Sequence, residues 1–200
     1  MDFLCYRFSE LTVDSADKAL LSPLELAQSA RRGHHYLLSR VTLKKELARR
    51  LGCTPQDIHF VLNEHGKPSL PGSAIHFNMS HSEDILCLAF HRTPIGVDIQ
   101  QHRPSSTSSA LAKRIMCQQQ LAAWEQRSCP TKEFFDCWCV AEALVKHAGT
   151  TIWQATKYPF LYHPNGIEAL FETSSAIQLF SPSAGFSGAV VYTELPTTHQ

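Results

Sequence analysis

The chain has 200 residues, 44% hydrophobic and 18% charged, which fits a soluble globular protein of one large domain or two small ones. Its 18 basic and 18 acidic side chains leave a formal net charge of +0, so nothing draws the whole molecule toward nucleic acid or membrane and any basic site must be local. No apolar run approaches the ~18 residues that span a bilayer. The seven cysteines are scattered, and the opening stretch MDFLCYRFSE carries no signal peptide, so they read as reduced thiols of a cytoplasmic protein. Cys137 and Cys139 form a C-x-C, but no second Cys or His pair lies at zinc spacing.

In chain order, FLCYRF (3–8) reads as an opening strand. Ser22-Pro23 starts helical sequence, and a long helical pattern runs from about Gly33 to Leu51, with Gly52 at the C-cap. IHFVLN (58–63) is strand-like and EHGKP (64–68) is a turn. IHFNMS (75–80), ILCLAF (85–90) and IGVDIQ (95–100) read as three successive strands. ILCLAF is continuously apolar, as in a strand covered on both faces. IGVDIQ alternates, which places Asp98 near the middle of a sheet beside the core. A polar loop, QHRPSSTSSA, follows. Helical sequence runs from about Ala110 to Gln126 and from about Lys132 to Ala148, and strand-like pieces IEALFE, IQLF and SGAVVY close the chain. The order of helix then strands occurs twice. It predicts two α+β halves that meet near residue 100.

Four stretches could carry chemistry. Tyr36, Arg40, Leu43, Leu47 and Leu51 share one helical stripe. Arg40 there is either a snorkelling side chain at the core's edge or a guanidinium aimed at an anion. In IHFNMSHS, Asn78 and Ser80 face away from Ile75, Phe77 and Met79, and His81 ends the strand. That Ser-His pair is a plain turn or a hydroxyl and an imidazole offered to a ligand; no G-x-S-x-G elbow supports a serine hydrolase. On the second long helix, Glu142 and Lys146 are i and i+4. They make an exposed ion pair or, with Asp98, an oxygen-rich site. A buried Asp98 needs a cation or a metal, and few oxygen ligands suit Mg²⁺ shared with substrate phosphates.

Order and spacing decide more than any stretch alone. SRVTLKKELARRLG, GKP, FNMSHS, IGVDI and the W-x-x-x-E-A-x-x-K of Trp138–Lys146 resemble the surfactin-synthetase type of 4′-phosphopantetheinyl transferase, over about residues 31 to 150. The resemblance implies an α+β pseudo-dimer of two similar lobes, 1–99 and 100–200, with the active site in the cleft between them. It implies transfer of the phosphopantetheine arm of coenzyme A to a serine of an apo acyl or peptidyl carrier protein, with release of 3′,5′-ADP. It gives Arg40, Lys67, Ser80, His81 and Lys146 to coenzyme A, Asp98, Glu142 and Gln100 to Mg²⁺, and Glu142 and Lys146 to catalysis. The expected protein is a cytoplasmic monomer without nucleic-acid or membrane partners. The other reading is a catalytically impaired coenzyme-A-binding paralogue that regulates a carrier protein.

The chain departs from the family pattern at four places. Gln100 stands for the usual second acid, Ala141 for the lysine before the glutamate, Ser39 for the glycine of the G-R pair, and Thr151 for a glycine after Lys146. Ala141 falls in the apolar stripe and is expected to pack on the core; an Ala141→Lys variant is expected to keep coenzyme A binding and to raise turnover if the site has room. Lys113, Arg114 and Met116 are expected to offer a carrier protein positive and apolar surface.

Overall fold

The computed structural model describes residues 1–103, 109–128 and 130–195. Its elements are β1 (Asp2–Arg7), α1 (Ser15–Lys18), α2 (Pro23–Arg32), α3 (His34–Leu51), β2 (Val61–Leu62), β3 (Pro68–Ser69), β4 (His76–Ser82), β5 (Ile85–His91) and β6 (Ile95–Gln101). The remainder comprises α4 (Ser109–Ile115), α5 (Gln118–Gln126), α6 (Thr131–Ala148), β7 (Phe160–His163), β8 (Gly166–Ala169), β9 (Ser175–Phe180) and β10 (Phe186–Thr193).

The topology repeats. A first sheet has the order β1-β5-β4 and a second the order β6-β10-β9, with every pairing antiparallel. In each half a strand is followed by an 18-residue helix, α3 or α6, and then by two strands that complete the sheet. We place the boundary between the halves in the turn at 92–94, because β6 pairs with β10; a boundary at 99/100 would cut β6 in two. Each half is therefore strand, helix, hairpin.

Four layers result. Leu38, Leu43 and Leu47 of α3 pack on Phe77, Leu86, Leu88 and Phe90 of the first sheet. Fully burying one such leucine contributes ~1.5–3 kcal/mol. The other face of that sheet offers smaller residues, Ile85, Cys87 and Ala89, to Ile95, Val97 and Ile99 of β6. Behind β6 and β10, α6 packs Ala141, Leu144 and Val145 against Ala189 and Val191. β5 is buried along both faces, as its continuous apolar run requires.

Local signals account for the helix ends. Ser22 and Glu25 close a capping box with Pro23 at the first position of α2. Gly149 ends α6 in the left-handed region at φ 71°.

Several expectations need correction. β6 is an edge strand of its sheet, not a central one. IHFVLN forms only the two-residue β2. The 110–126 helix breaks at Met116-Cys117 into α4 and α5, and this turns Met116 into the core, so it offers no docking surface. Lys113 and Arg114 remain exposed, and the Arg114 guanidinium lies 4.7 Å from the ring of Trp153. Part of the expected polar loop, 104–108, lies outside the described residues. The cysteines are not all thiols: Cys5 and Cys87 face each other directly across β1 and β5 and form a disulfide. Their pairing follows from strand register, which brings opposed Cβ atoms to ~5 Å. Cys137 and Cys139 are buried in the second core, where loss of solvation pushes both thiols well up.

Candidate active site at the junction of the halves

Gly96 sets how α6 meets β6. A Cβ there would lie 2.1 Å from the Ala143 carbonyl oxygen and 2.4 Å from the His147 nitrogen, so only glycine permits this approach. Two residues on, Asp98 points to the same face and meets the C-terminal half of α6. It is 2% exposed. Lys146 Nζ donates to its Oδ1 at 2.6 Å, Ser80 Oγ donates to the same oxygen at 2.6 Å, and Gln100 Nε2 donates to Oδ2 at 3.2 Å. Lys146 also reaches Ser80 Oγ and the Val97 carbonyl, each at 3.3 Å. A buried carboxylate is tolerable when its oxygens are all matched in this way.

Glu142 lies one turn before Lys146. Burial pushes its carboxyl above the ordinary range, the Asp98 charge adds to this, and Lys146 opposes it. Burial disfavours the Lys146 charge, but the charge and hydrogen bond of Asp98, with Glu142, outweigh it, so the ammonium is held above its usual range. Lys146 therefore turns to Asp98 across the layer, not to Glu142 along its own helix. The trio carries two acids and one base. It is short of one positive charge.

A second group of residues forms around the α2–α3 junction. Arg32, His34, His35, Arg40 and His81 line one cleft of about 500 Å³. His35 stacks on Phe8 at 4.0 Å, and His81 meets Phe8 edge-on at 5.8 Å. Arg40 is only 7% exposed. Its Nε donates to the Tyr36 hydroxyl at 3.2 Å, and its guanidinium lies 5.2 Å and 5.5 Å from the Tyr36 and Phe60 rings. Its Nη1 is buried with no partner. Among the described residues no acid pairs with Arg40. An uncompensated buried cation costs several kcal/mol, and an anion bound from outside would offset it. The snorkelling alternative is excluded, since the head group itself is buried.

His81 also lines a second cleft of about 410 Å³, with Gln100, Phe134, Phe135 and Trp138. Burial, His35 and Lys146 hold its imidazole below its usual range. His81 is therefore shared by the two clefts, and the charges of Lys146 and Asp98 reach it.

Comparison with known proteins identifies the family. Residues 94–182 match the model of the 4′-phosphopantetheinyl transferase superfamily. The chain is 31% identical over 119 residues to the 4′-phosphopantetheinyl transferase Sfp of Bacillus subtilis, covering 58% of this chain and 52% of that one. It is 32% identical over 148 residues to HetI of Nostoc, covering 67% and 62%, and 30% identical over 153 residues to AcpT of Salmonella typhi, covering 74% of each chain. The chain belongs to the 4′-phosphopantetheinyl transferase superfamily. It spans about half the length of the Bacillus relative it matches.

Against that family's pattern, the structure brings Ser80, His81, Asp98, Gln100, Glu142 and Lys146 together. Arg40 stands in the adjoining cleft. Lys67 is placed differently from its expected phosphate contact. Its Nζ donates to the Ile95 and His147 carbonyls, each at 3.1 Å, so it caps the end of α6, where a cation is favoured. Burial lowers it to about 8. Ser80 likewise points at Asp98 and is buried from the cleft. Ala141 is 1% exposed in the α6 core, as its stripe predicts. With Ala141 so enclosed, the room on which a gain from Ala141→Lys depends is lacking, since added core volume is destabilising.

The Mg²⁺ that transferases of this superfamily imply can be tested against these residues. Asp98 and Glu142 offer hard oxygen donors beside an unmet negative charge, and Mg²⁺ needs few protein ligands when phosphates and waters supply the rest. The acids fit. Gln100 presents its amide nitrogen to Asp98, so it steadies that carboxylate. Among the described residues no three Asp, Glu, His or Cys side chains form a ready cage.

Arg32, His34 and His35 join the basic cleft without any role from the family resemblance; the run RRGHH (31–35) is their local basic signal.

Proposed function

We propose that this chain transfers the 4′-phosphopantetheine arm of coenzyme A to a serine of an apo acyl or peptidyl carrier protein, releasing 3′,5′-ADP, in a Mg²⁺-dependent reaction. One observation carries the reading. A buried Arg40 guanidinium without a counter-ion stands in a basic cleft whose other wall is His81, an imidazole close enough to feel the charges of Lys146 and Asp98.

The roles follow from charge and position. Arg40, with Arg32 and His35 beside it, binds the 3′-phosphate of coenzyme A; a guanidinium can grip phosphate by two N–H groups at once. His81 binds the pyrophosphate between the two clefts. Asp98 and Glu142 hold Mg²⁺, which neutralises phosphate charge when bound. Glu142, a carboxyl already made more basic by burial, accepts the serine proton as the serine oxygen attacks the pantetheine-side phosphorus. The phosphoanhydride bond breaks, and Lys146 neutralises charge on the departing phosphate. Lys67 and Ser80 position the trio. Exposed Lys113 and Arg114 offer the carrier protein positive surface.

The binding half of the reading has a direct calorimetric test. Dephospho-coenzyme A should bind about tenfold more weakly than coenzyme A, since a hydrogen bond to a charged group contributes about 1.5–3 kcal/mol. The difference should shrink with added salt and shrink further in Arg40→Gln. Equal affinity of the wild type for both compounds would remove Arg40 from the 3′-phosphate.

A further inference from the structure

β6 is held on its open edge by side chains, not by a strand. Three of its N–H groups point away from β10 and toward β4. Val97 N donates to Asn78 Oδ1 at 2.8 Å, Ile99 N to Ser80 Oγ at 3.4 Å, and Gln101 N to Ser82 Oγ at 3.0 Å. The carbonyls of the same edge accept from lysines, Ile95 from Lys67 and Val97 from Lys146. The acceptors recur every second residue on β4, and so do the donors on β6. Both rows share the strand repeat of ~6.7 Å per two residues. A slip of one residue would bring Phe77, Met79 and His81 to this edge, and the two apolar side chains among them accept no hydrogen bond. The match therefore fixes β6 in one register.

We propose that Asn78 and Ser82 are positioning residues for the site. Asp98 lies between two of the three gripped amides. The middle rung, Ser80, touches both the Ile99 amide and the Asp98 carboxylate. Asn78 and Ser82, the outer rungs, keep β6 from tilting about that point. They thereby set the distance from Asp98, on the second half, to Ser80 on the first. The basic cleft is built by α2, α3 and β4 without β6, so loosening this seam changes the trio and leaves the cleft's grip on its anion.

The turnover arm of the test rests on the transferase reading; the exchange arm does not. Ser82→Ala should lower kcat for transfer to an apo carrier protein about tenfold, equivalent to one hydrogen bond's displacement of the transition state. The KM for coenzyme A should stay within about twofold, a split that marks an interaction needed in the transition state and not in binding. Ser82→Thr keeps the hydroxyl and should restore turnover. In hydrogen exchange followed residue by residue, the Gln101 amide in Ser82→Ala and the Val97 amide in Asn78→Ala should exchange about tenfold faster, while the amides of β10 stay protected. An unchanged Gln101 rate overturns the seam itself. A kcat loss that only tracks the melting temperature, or that threonine fails to rescue, overturns the positioning role. If the wild type transfers nothing to any carrier, the transferase reading fails and the exchange rates alone decide the seam.

Discussion

Lys146→Ala is expected to lower kcat by about two decades or more, because a fixed cation at a site of developing charge contributes roughly 2–4 kcal/mol to the transition state. The structure raises the stakes of this substitution. Lys146 is the direct ionic partner of Asp98 at 2.6 Å, and its side chain is 27% exposed against 2% for Asp98. Removing it leaves a buried carboxylate with only the Ser80 hydroxyl and the Gln100 amide. Breaking such a pair costs about 3 kcal/mol, the low end of the buried range, since the lysine is partly wet. Two losses would therefore coincide, and a second variant separates them. Asp98→Asn with Lys146→Met removes both charges and should melt near the wild-type temperature while remaining inactive. That double variant reports stability only, because it also lacks Asp98; near-wild-type turnover in folded Lys146→Ala, assayed well below its own melting temperature, would make the lysine a structural partner only. Ala141 adds to the dependence. It fills the α6 core where the family's extra lysine would stand, so Lys146 acts without that second cation.

Glu142→Gln should fall by about two decades or more in kcat, as loss of a general base does, and should gain stability. The sign follows from the raised carboxyl. A folded acid whose affinity for its proton exceeds that of the unfolded chain stabilises the fold at low pH, and that contribution is lost as pH rises through the folded value. At neutral pH the ionised Glu142 is therefore a net cost. The neutral amide removes it. In EDTA the variant should melt above the wild type at pH 8, and the gap should narrow toward pH 4. The structure thus gives Glu142 the mark of a site residue held at the fold's expense. Wild-type turnover in a folded Glu142→Gln would end its assignment as base and ligand.

The features legible in the sequence are those carried by local period and local chemistry. Alternation in IGVDIQ placed Asp98 inside, and the i, i+4 spacing of Glu142 and Lys146 placed both on one helix face. Ser22-Pro23 marks the start of one helix and Gly52 the end of another. What sequence could not give is non-local. β6 reads as a central strand because its open edge is satisfied, but the satisfying groups are side chains of Asn78, Ser80 and Ser82 some 19 residues away. Lys67 reads as a free cation in a turn, yet the fold brings it 80 residues along the chain to the end of α6. The Cys5–Cys87 pair depends on the β1–β5 register, which no local pattern encodes. Met116 departs from its helical expectation for a local reason: one break in the run rotates it inward.

The central claim is that the Arg40 cleft and the Asp98–Lys146–Glu142 trio together move a phosphopantetheine arm. Intact-mass spectrometry of apo acyl and peptidyl carrier proteins, incubated with the wild-type chain, coenzyme A and Mg²⁺, tests it most directly. The account predicts one added phosphopantetheine per carrier, located on a serine, with 3′,5′-ADP released in equal amount and no gain in folded Asp98→Ala. Unmodified carriers across the set, from a wild type that binds coenzyme A, would contradict it and leave a coenzyme-A-binding protein without transfer.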